Sequence, residues 1–196
     1  VSRLRVGVLV SGRGSNLQAL IEAGRDPSYP ARVVMVCANR DCPALELARK
    51  ARISSQVFPL PSFPDRKARD FAMARAFHQH AVDLVVCAGY NAILERSFTR
   101  VFAGRIINIH PSLLPQFAGT MHAVEQALEA GVTETGCSVH LVTDEVDQGP
   151  VLDQQRVPVL LGDTPERLRQ RIQAEEHRLL PAVVRRLATQ TLPLSV

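Results

Sequence analysis

Tryptophan is absent from the 196 residues, and tyrosine occurs only twice. Lysine is almost as scarce: only Lys50 and Lys67 occur, so nearly all the positive charge is arginine, scattered along the chain rather than gathered in blocks. A nucleic-acid surface made of basic patches and stacking aromatics has no material here. No apolar run approaches the ~20 residues of a membrane-spanning helix. The opening Val1-Ser-Arg-Leu-Arg-Val6 is too short and too charged for a secretory signal. The four cysteines, Cys37, Cys42, Cys87 and Cys137, show no C-x-x-C spacing, and three of them sit in strand-like apolar runs. There a free thiol behaves as a small hydrophobe. A reduced, cytoplasmic protein is expected, with neither a disulfide framework nor a zinc site.

What is present is ordinary globular material, 46% hydrophobic and 21% charged. The length suits one domain over residues 1–196, burying roughly 70% of the surface its unfolded chain exposes. There are no internal repeats, low-complexity segments or linkers. A net charge of +4, from 23 basic and 19 acidic residues, fits a protein that handles a small anion.

Short valine-rich runs alternate with helical stretches. Strands are predicted at 6–10, 32–37, 56–58, 84–87 and 105–109, with helices at 17–23, 44–51 and 65–80. In the last of these Ala68, Phe71 and Phe77 suggest the core face. This alternation predicts an α/β fold, an open and mostly parallel sheet with helices on both faces and a Rossmann-like N-terminal half. After 105–109 the pattern changes: a helix at 123–129, then strands at 136–142 and 151–157, near enough in sequence to pair antiparallel. A last helix begins at Thr164-Pro-Glu, an N-cap followed by proline at the first helical position. Leu168, Ile172, Leu179, Leu180, Val183 and Leu187 line one of its faces, and Pro181 should bend it. Glu176 falls on that apolar stripe, where a carboxylate needs a partner or a cleft.

Two motifs carry chemistry. In Ser11-Gly-Arg-Gly-Ser-Asn16 the glycines let the backbone approach a ligand, and the following helix offers free N–H groups and a positive dipole end. Together they suit an anion, most often phosphate. It is a poor dinucleotide fingerprint, because Leu17 takes the third glycine position and Asn39 stands where a ribose-binding acid belongs. The second motif is Arg105-Ile-Ile-Asn-Ile-His-Pro-Ser-Leu-Leu-Pro115. Pro111 ends the strand, and Asn108 and His110, two apart, face the same way. Taken alone, that pair also fits a turn with a satisfied histidine. Asp147, in Thr143-Asp-Glu-Val-Asp-Gln-Gly-Pro150, could join them.

No serine or cysteine with a partner base is evident. An amide donor with a histidine kept protonated by a carboxylate suits acyl transfer in which the substrate brings its own nucleophile. His122 and His140 lack ligand-like spacing to His110, and they and His78 and His80 read as surface or structural histidines, so no metal is expected.

These motifs, with Gly136-Cys-Ser-Val-His140, resemble the phosphoribosylglycinamide formyltransferase family of purine synthesis, in order and spacing, over nearly the whole chain. The Asn–His–Asp set is shared with methionyl-tRNA formyltransferases and formyltetrahydrofolate hydrolases. A single domain is expected, without the extra domain those relatives carry. The resemblance implies formyl transfer from 10-formyltetrahydrofolate to the amine of glycinamide ribonucleotide, with both small molecules as partners, no membrane, and room for a homodimer. It implies that Asn108, His110 and Asp147 are catalytic, and that Gly14, Ser15, Asn16, Gln173, Ala174, Glu175 and Glu176 bind the ribonucleotide. Folate would meet Arg66, Asn91, Ala92, Ile93, Leu94, Asn108, Thr143, Asp144, Glu145, Val146 and Asp147. A hydrolase, in which water replaces the amine, and a non-catalytic phosphate-ligand binder are the alternatives. Two departures stand out. Asn91-Ala92 replaces the family's usual Met-Arg, and 118–122 runs one residue longer than the usual pattern.

Overall fold

Along the first strand Val6, Val8 and Val10 turn to one side and Leu9 to the other, all almost fully buried. A strand buried on both faces belongs in the middle of a sheet covered by helices twice over. The computed structural model, which describes residues 2–190 and 192–194, has that arrangement. In chain order the elements are β1 (Leu4–Val10), α1 (Ser15–Ala23), β2 (Ala31–Ala38), α2 (Pro43–Lys50), β3 (Ser54–Val57), α3 (Arg66–Gln79), β4 (Leu84–Cys87), α4 (Arg96–Val101), β5 (Ile106–His110), α5 (Ala123–Glu129), β6 (Glu134–Leu141), β7 (Val151–Pro158) and α6 (Pro165–Leu187). A single 3-10 turn, Leu60–Ser62, interrupts the proline-rich stretch before α3.

The sheet order is β3-β2-β1-β4-β5-β6-β7. The first five strands in that order run parallel. β6 is antiparallel to both β5 and β7. From β1 the chain winds outward through β2 and β3, then returns to set β4 on the other side of β1. Strand order reverses there, and a crevice opens beyond the carboxyl ends of β1 and β4. Ser11–Asn16 and Ala88–Asn91 lie at those two ends.

One face of the sheet packs on α1, α2, α5 and α6, through residues such as Leu17, Ala48, Val124, Ile172 and Leu180. The other packs on α3 and α4, through Met73, Phe77 and Phe98, with Phe102 just beyond. Phe77 presses so closely on β1 that a Cβ at Gly7 would lie 2.7 Å from its ring. Only glycine fits there.

The α3 core face differs from the expected one. Phe71 is 62% exposed, while Asp70, Met73, Ala74 and Phe77 are buried. These four follow i, i+3, i+4, i+7 spacing, and one of them is charged. Asp70 is tolerated because Arg69 Nε donates to its Oδ1 and the Glu95 N–H to its Oδ2, each at 2.7 Å. Phe71 falls on the outer face with Lys67 and Arg75. The six-residue helix α4 has no counterpart in the sequence reading, being too short to show a period. α6 continues through Pro181 to Leu187.

Candidate active site

The phosphate-loop candidate is built by a turn that only glycine enters easily. Gly14 has φ +80° and caps α1 at its N-terminus, with no side chain capping the free N–H groups of the first turn. A Cβ there would lie 2.6 Å from the Ala44 Cβ and 2.9 Å from its Cα, so the loop also rests against the start of α2. The Ala44 N–H donates to Gly12 O at 3.1 Å. Uncapped N–H groups with no acid in the first turn form a ready anion site.

A ring of hydrogen bonds joins this loop to the end of β4. Ser11 Oγ donates to Asn39 Oδ1 (2.7 Å), Asn39 Nδ2 donates to Asn91 Oδ1 (2.9 Å), and the Asn91 N–H donates to Ser11 Oγ (2.9 Å). The polar end of Asn91 is thereby engaged with Asn39.

Asn16 and Glu176 meet across the crevice, Asn16 Nδ2 donating to Glu176 Oε2 at 2.9 Å. Glu176 is 6% exposed, and burial pushes its carboxyl above the usual range against the opposing effect of the Asn16 bond. Asn16 Oδ1 is buried without a partner, an acceptor aimed at nothing in the protein. The raised folded-state value means the native protein holds a proton that the unfolded chain gives up at lower pH. Stability linked to Glu176 is therefore full below the unfolded value and is lost as pH rises through the folded one. Glu176→Gln keeps an acceptor for Asn16 and removes the buried charge. It should raise the Tm at pH 8 by about 2–4 °C, the shift that ~1 kcal/mol gives in a domain of this size, and leave it unchanged near pH 4. Thermal melts across that range check this; an equal difference at both ends would contradict it.

At the end of β5, Asn108 and His110 face Asp147, which reaches in from the β6–β7 loop. Asp147 has φ 54°, a left-handed conformation that Asp tolerates better than most residues. His110 Nδ1 lies 3.4 Å from Asp147 Oδ2, and Asn108 Nδ2 lies 3.4 Å from Oδ1. The Gly119 N–H donates to Oδ2 at 2.8 Å. Burial would raise the Asp147 carboxyl; bonding to His140, the charge of His110 and the Gly119 N–H outweigh it and hold it below the usual range. His110 Nε2 faces Phe117 O at 2.9 Å, so both ring nitrogens have acceptors and only the doubly protonated ring donates to both.

His140, expected to be structural, belongs to this cluster. It is 1% exposed and stands opposite Asn108 in the β5–β6 ladder. Its Nδ1 faces Leu141 O at 2.9 Å, and its Nε2 lies 3.1 Å from Asn108 Nδ2 and 3.4 Å from Asp147 Oδ1. The Asn108 amide and the His140 ring thus converge on the same carboxylate oxygen, Asp147 Oδ1. Only the pairing of β5 with β6 makes His140 a neighbour, and the sequence does not display that pairing.

Gly14, Asn16, Asn91, Asn108, His110, His140, Asp147 and Glu176 border one cleft of about 690 Å³, a size typical of small-molecule sites. It brings together Gly14, Ser15, Asn16, Asn91, Ala92, Ile93, Leu94, Asn108, His110, Thr143, Asp144, Glu145, Val146, Asp147, Gln173 and Glu176. Arg66, Ala174 and Glu175 lie outside its lining. Arg66 pairs with Glu95 at 3.2 Å, and Glu175 with Arg178 at 3.0 Å. On α6, Gln173 and Glu176 share a face that the two residues between them turn away from. Arg13, Thr99, Gly119, Thr120, Met121, His140 and Arg169 also line the cleft, none of them an expected site residue. Among the described residues, no group of three or more His, Cys, Asp or Glu side chains is placed to hold a metal ion. No helix among them is long and apolar enough to cross a membrane.

Residues 4–184 match the family model described as formyl transferase. The chain is 48% identical over 185 residues to phosphoribosylglycinamide formyltransferase of Mycobacterium tuberculosis, covering 94% of this chain and 85% of that protein. It is 44% identical over 188 residues to the trifunctional purine biosynthetic protein adenosine-3 of Bos taurus. That alignment covers 95% of this chain but 18% of the bovine protein, so the chain spans under a fifth of that relative's length. The crystal structure of glycinamide ribonucleotide transformylase 1 from Symbiobacterium toebii superposes with a TM-score of 0.92 at 46% identity, covering 95% of this chain and 88% of that one.

Proposed function

The chain belongs to the formyl transferase family, and on that premise we propose that it transfers the formyl group of 10-formyltetrahydrofolate to the amine of glycinamide ribonucleotide in purine biosynthesis. The observation that carries this reading is the presence in one cleft of an uncapped helix N-terminus and, across from it, Asn108, His110 and Asp147. One end suits a phosphate monoester, and the other suits an acyl group under attack.

The ribonucleotide phosphate sits on the N–H groups of Ser15 and Asn16. Asn16 Oδ1 and Glu176 accept from its ribose or glycinamide end, which gives the unpartnered oxygen a donor. Folate lies against 91–94 and 143–147. There Asn91 is held by Asn39, so recognition on that wall falls to backbone groups freed at the end of β4.

The substrate amine attacks the formyl carbon, forming the C–N bond and pushing the carbonyl pair onto oxygen. Asn108 and His110 are the donors that stabilise this oxyanion. Each has a partner in the protein, Phe117 O for His110 Nε2 and the His140–Asp147 pair for Asn108. The acyl oxygen therefore gains them by exchange. Collapse of the intermediate breaks the bond to the folate nitrogen. The proton lost by the amine passes through water to ionised Asp147 and on to that leaving nitrogen, so none is consumed. The four free thiols suit a reaction in the reducing cytoplasm.

Incubation of the protein with both substrates, followed by mass spectrometry of the ribonucleotide, should show one added formyl group. An unchanged ribonucleotide would refute the reading.

A further inference from the structure

Asp147 rides on the β6–β7 loop, and little within that loop holds it. The internal hydrogen bonds are long: Thr143 Oγ1 to Glu145 O at 3.2 Å, Glu145 N to Thr143 Oγ1 at 3.4 Å, and Gln148 N to Glu145 O at 3.5 Å. Asp147's contacts with His110 and His140 are both 3.4 Å, so a small outward drift would break them.

Two short bonds reach this loop: the Gly119 N–H donates to Asp147 Oδ2 at 2.8 Å, and α4 supplies the one that grips the loop's first half. Thr99 Oγ1 lies 2.7 Å from Asp144 Oδ1 and 3.1 Å from Arg96 O. It has one proton to give, and the nearer, charged acceptor takes it. Thr99 is 7% exposed, so water competes little for the bond. Arg96 adds an exposed contact to Asp144 Oδ2 at 3.4 Å, of small value in solvent.

α4 is itself anchored at both ends. The Glu95 N–H, at its N-cap, donates to the buried carboxylate of Asp70. Phe98 and Phe102 pack edge-on against Phe77 in the core. A continuous path thus runs from the core through α4 to Asp144, three residues before Asp147. No other element grips the first half of the loop by a comparably short side-chain bond among the described residues.

We propose that Thr99 is a positioning residue for Asp147: by holding the Asp144 carboxylate it fixes the loop on which Asp147 reaches His110. The inference rests on the formyl-transfer reading for its kinetic consequence. Misplacing a catalytic group by ~1 Å can cost about 10²-fold in rate, and loss of one tether should allow part of that.

Thr99 also borders the cleft, and a residue that only shapes the wall would move folate affinity instead. Thr99→Val keeps the shape and removes the hydroxyl; Thr99→Ser keeps the hydroxyl. Thr99→Val should lower kcat about tenfold while the Kd of a folate analogue stays within about threefold, and Thr99→Ser should restore kcat to within about twofold of the parent. Asp144→Asn, which offers the hydroxyl only a neutral partner, should be slowed too and covers the case in which Thr99→Val does not fold. Imidazole NMR of His110 in the substrate-free protein reads the same displacement without any reaction. Its ring signals should move in Thr99→Val and not in Thr99→Ser, whether or not formyl transfer is the activity. Unchanged His110 signals, an undiminished kcat in Thr99→Val, or a serine variant as slow as the valine one would overturn the proposal.

Discussion

Replacing Asp147 with Asn should lower kcat by about 10²–10⁴-fold, the range typical of lost acid–base catalysis, and leave the fold intact. The fold survives because Asn tolerates the left-handed φ of 54° at this position as well as Asp does. The activity does not, because every polar group of the cluster is arranged around a negative charge. His110 Nδ1, the Gly119 N–H and the Asn108 amide all approach the carboxylate. An amide can accept at only one of its two positions. His110 then loses its acidic partner, and the proton leaving the amine loses its acceptor. In the proposed mechanism His110 and Asp147 act as a unit, so Asp147→Asn combined with His110→Ala should cost far less than the product of the single losses. Single-turnover measurements on the three variants check this. Fully multiplicative losses would show that the two residues work independently.

Gly14→Val should weaken ribonucleotide binding by about 100-fold or more while changing the Kd of a folate analogue by less than about threefold. Two constraints meet at this residue. Its φ of +80° is poor for any β-branched side chain, and an added Cβ would collide with the backbone of Ala44. The loop must move to relieve the collision, and the N–H groups of the first α1 turn move with it. Apart from the Ser11 and Asn39 bonds to Asn91, the folate side is held from elsewhere, by the Asp70 bond to Glu95 and the Thr99 bond to Asp144. Separate titrations of the two ligands distinguish local from general damage, and equal weakening of both would point to the latter. A Cβ at Gly12 would meet nothing within 4 Å, so Gly12→Ala should be much milder.

The parts of this molecule legible in its sequence are those whose cause is local. β1 announces itself because a strand buried on both faces is apolar throughout, and the Ser11–Asn16 turn because glycine is needed for its backbone. Pro111 ends β5 where the chain says it should. Glu176 could be singled out because a carboxylate on an apolar stripe conflicts with its surroundings, and it does meet Asn16 across the crevice. Features set by distant pairing were not legible. His140 becomes a neighbour of Asn108 only when β6 lies antiparallel to β5. Phe71 is exposed because α3 buries Asp70 in its place, and that depends on Arg69 and a backbone N–H from α4. α4 is too short to carry a period, yet it holds the loop that presents Asp147. Asn91 has its side chain engaged by Asn39, 52 residues away.

The most direct test of the central claim is the initial rate of 10-formyltetrahydrofolate consumption, followed by absorbance, with and without glycinamide ribonucleotide. In the proposed reaction the Asn108–His110–Asp147 cluster acts on a formyl group attacked by a bound amine. Consumption should therefore depend on the ribonucleotide, saturate with it, and fall to background in its absence. Consumption that proceeds equally well without the ribonucleotide would make water the acceptor and contradict the account.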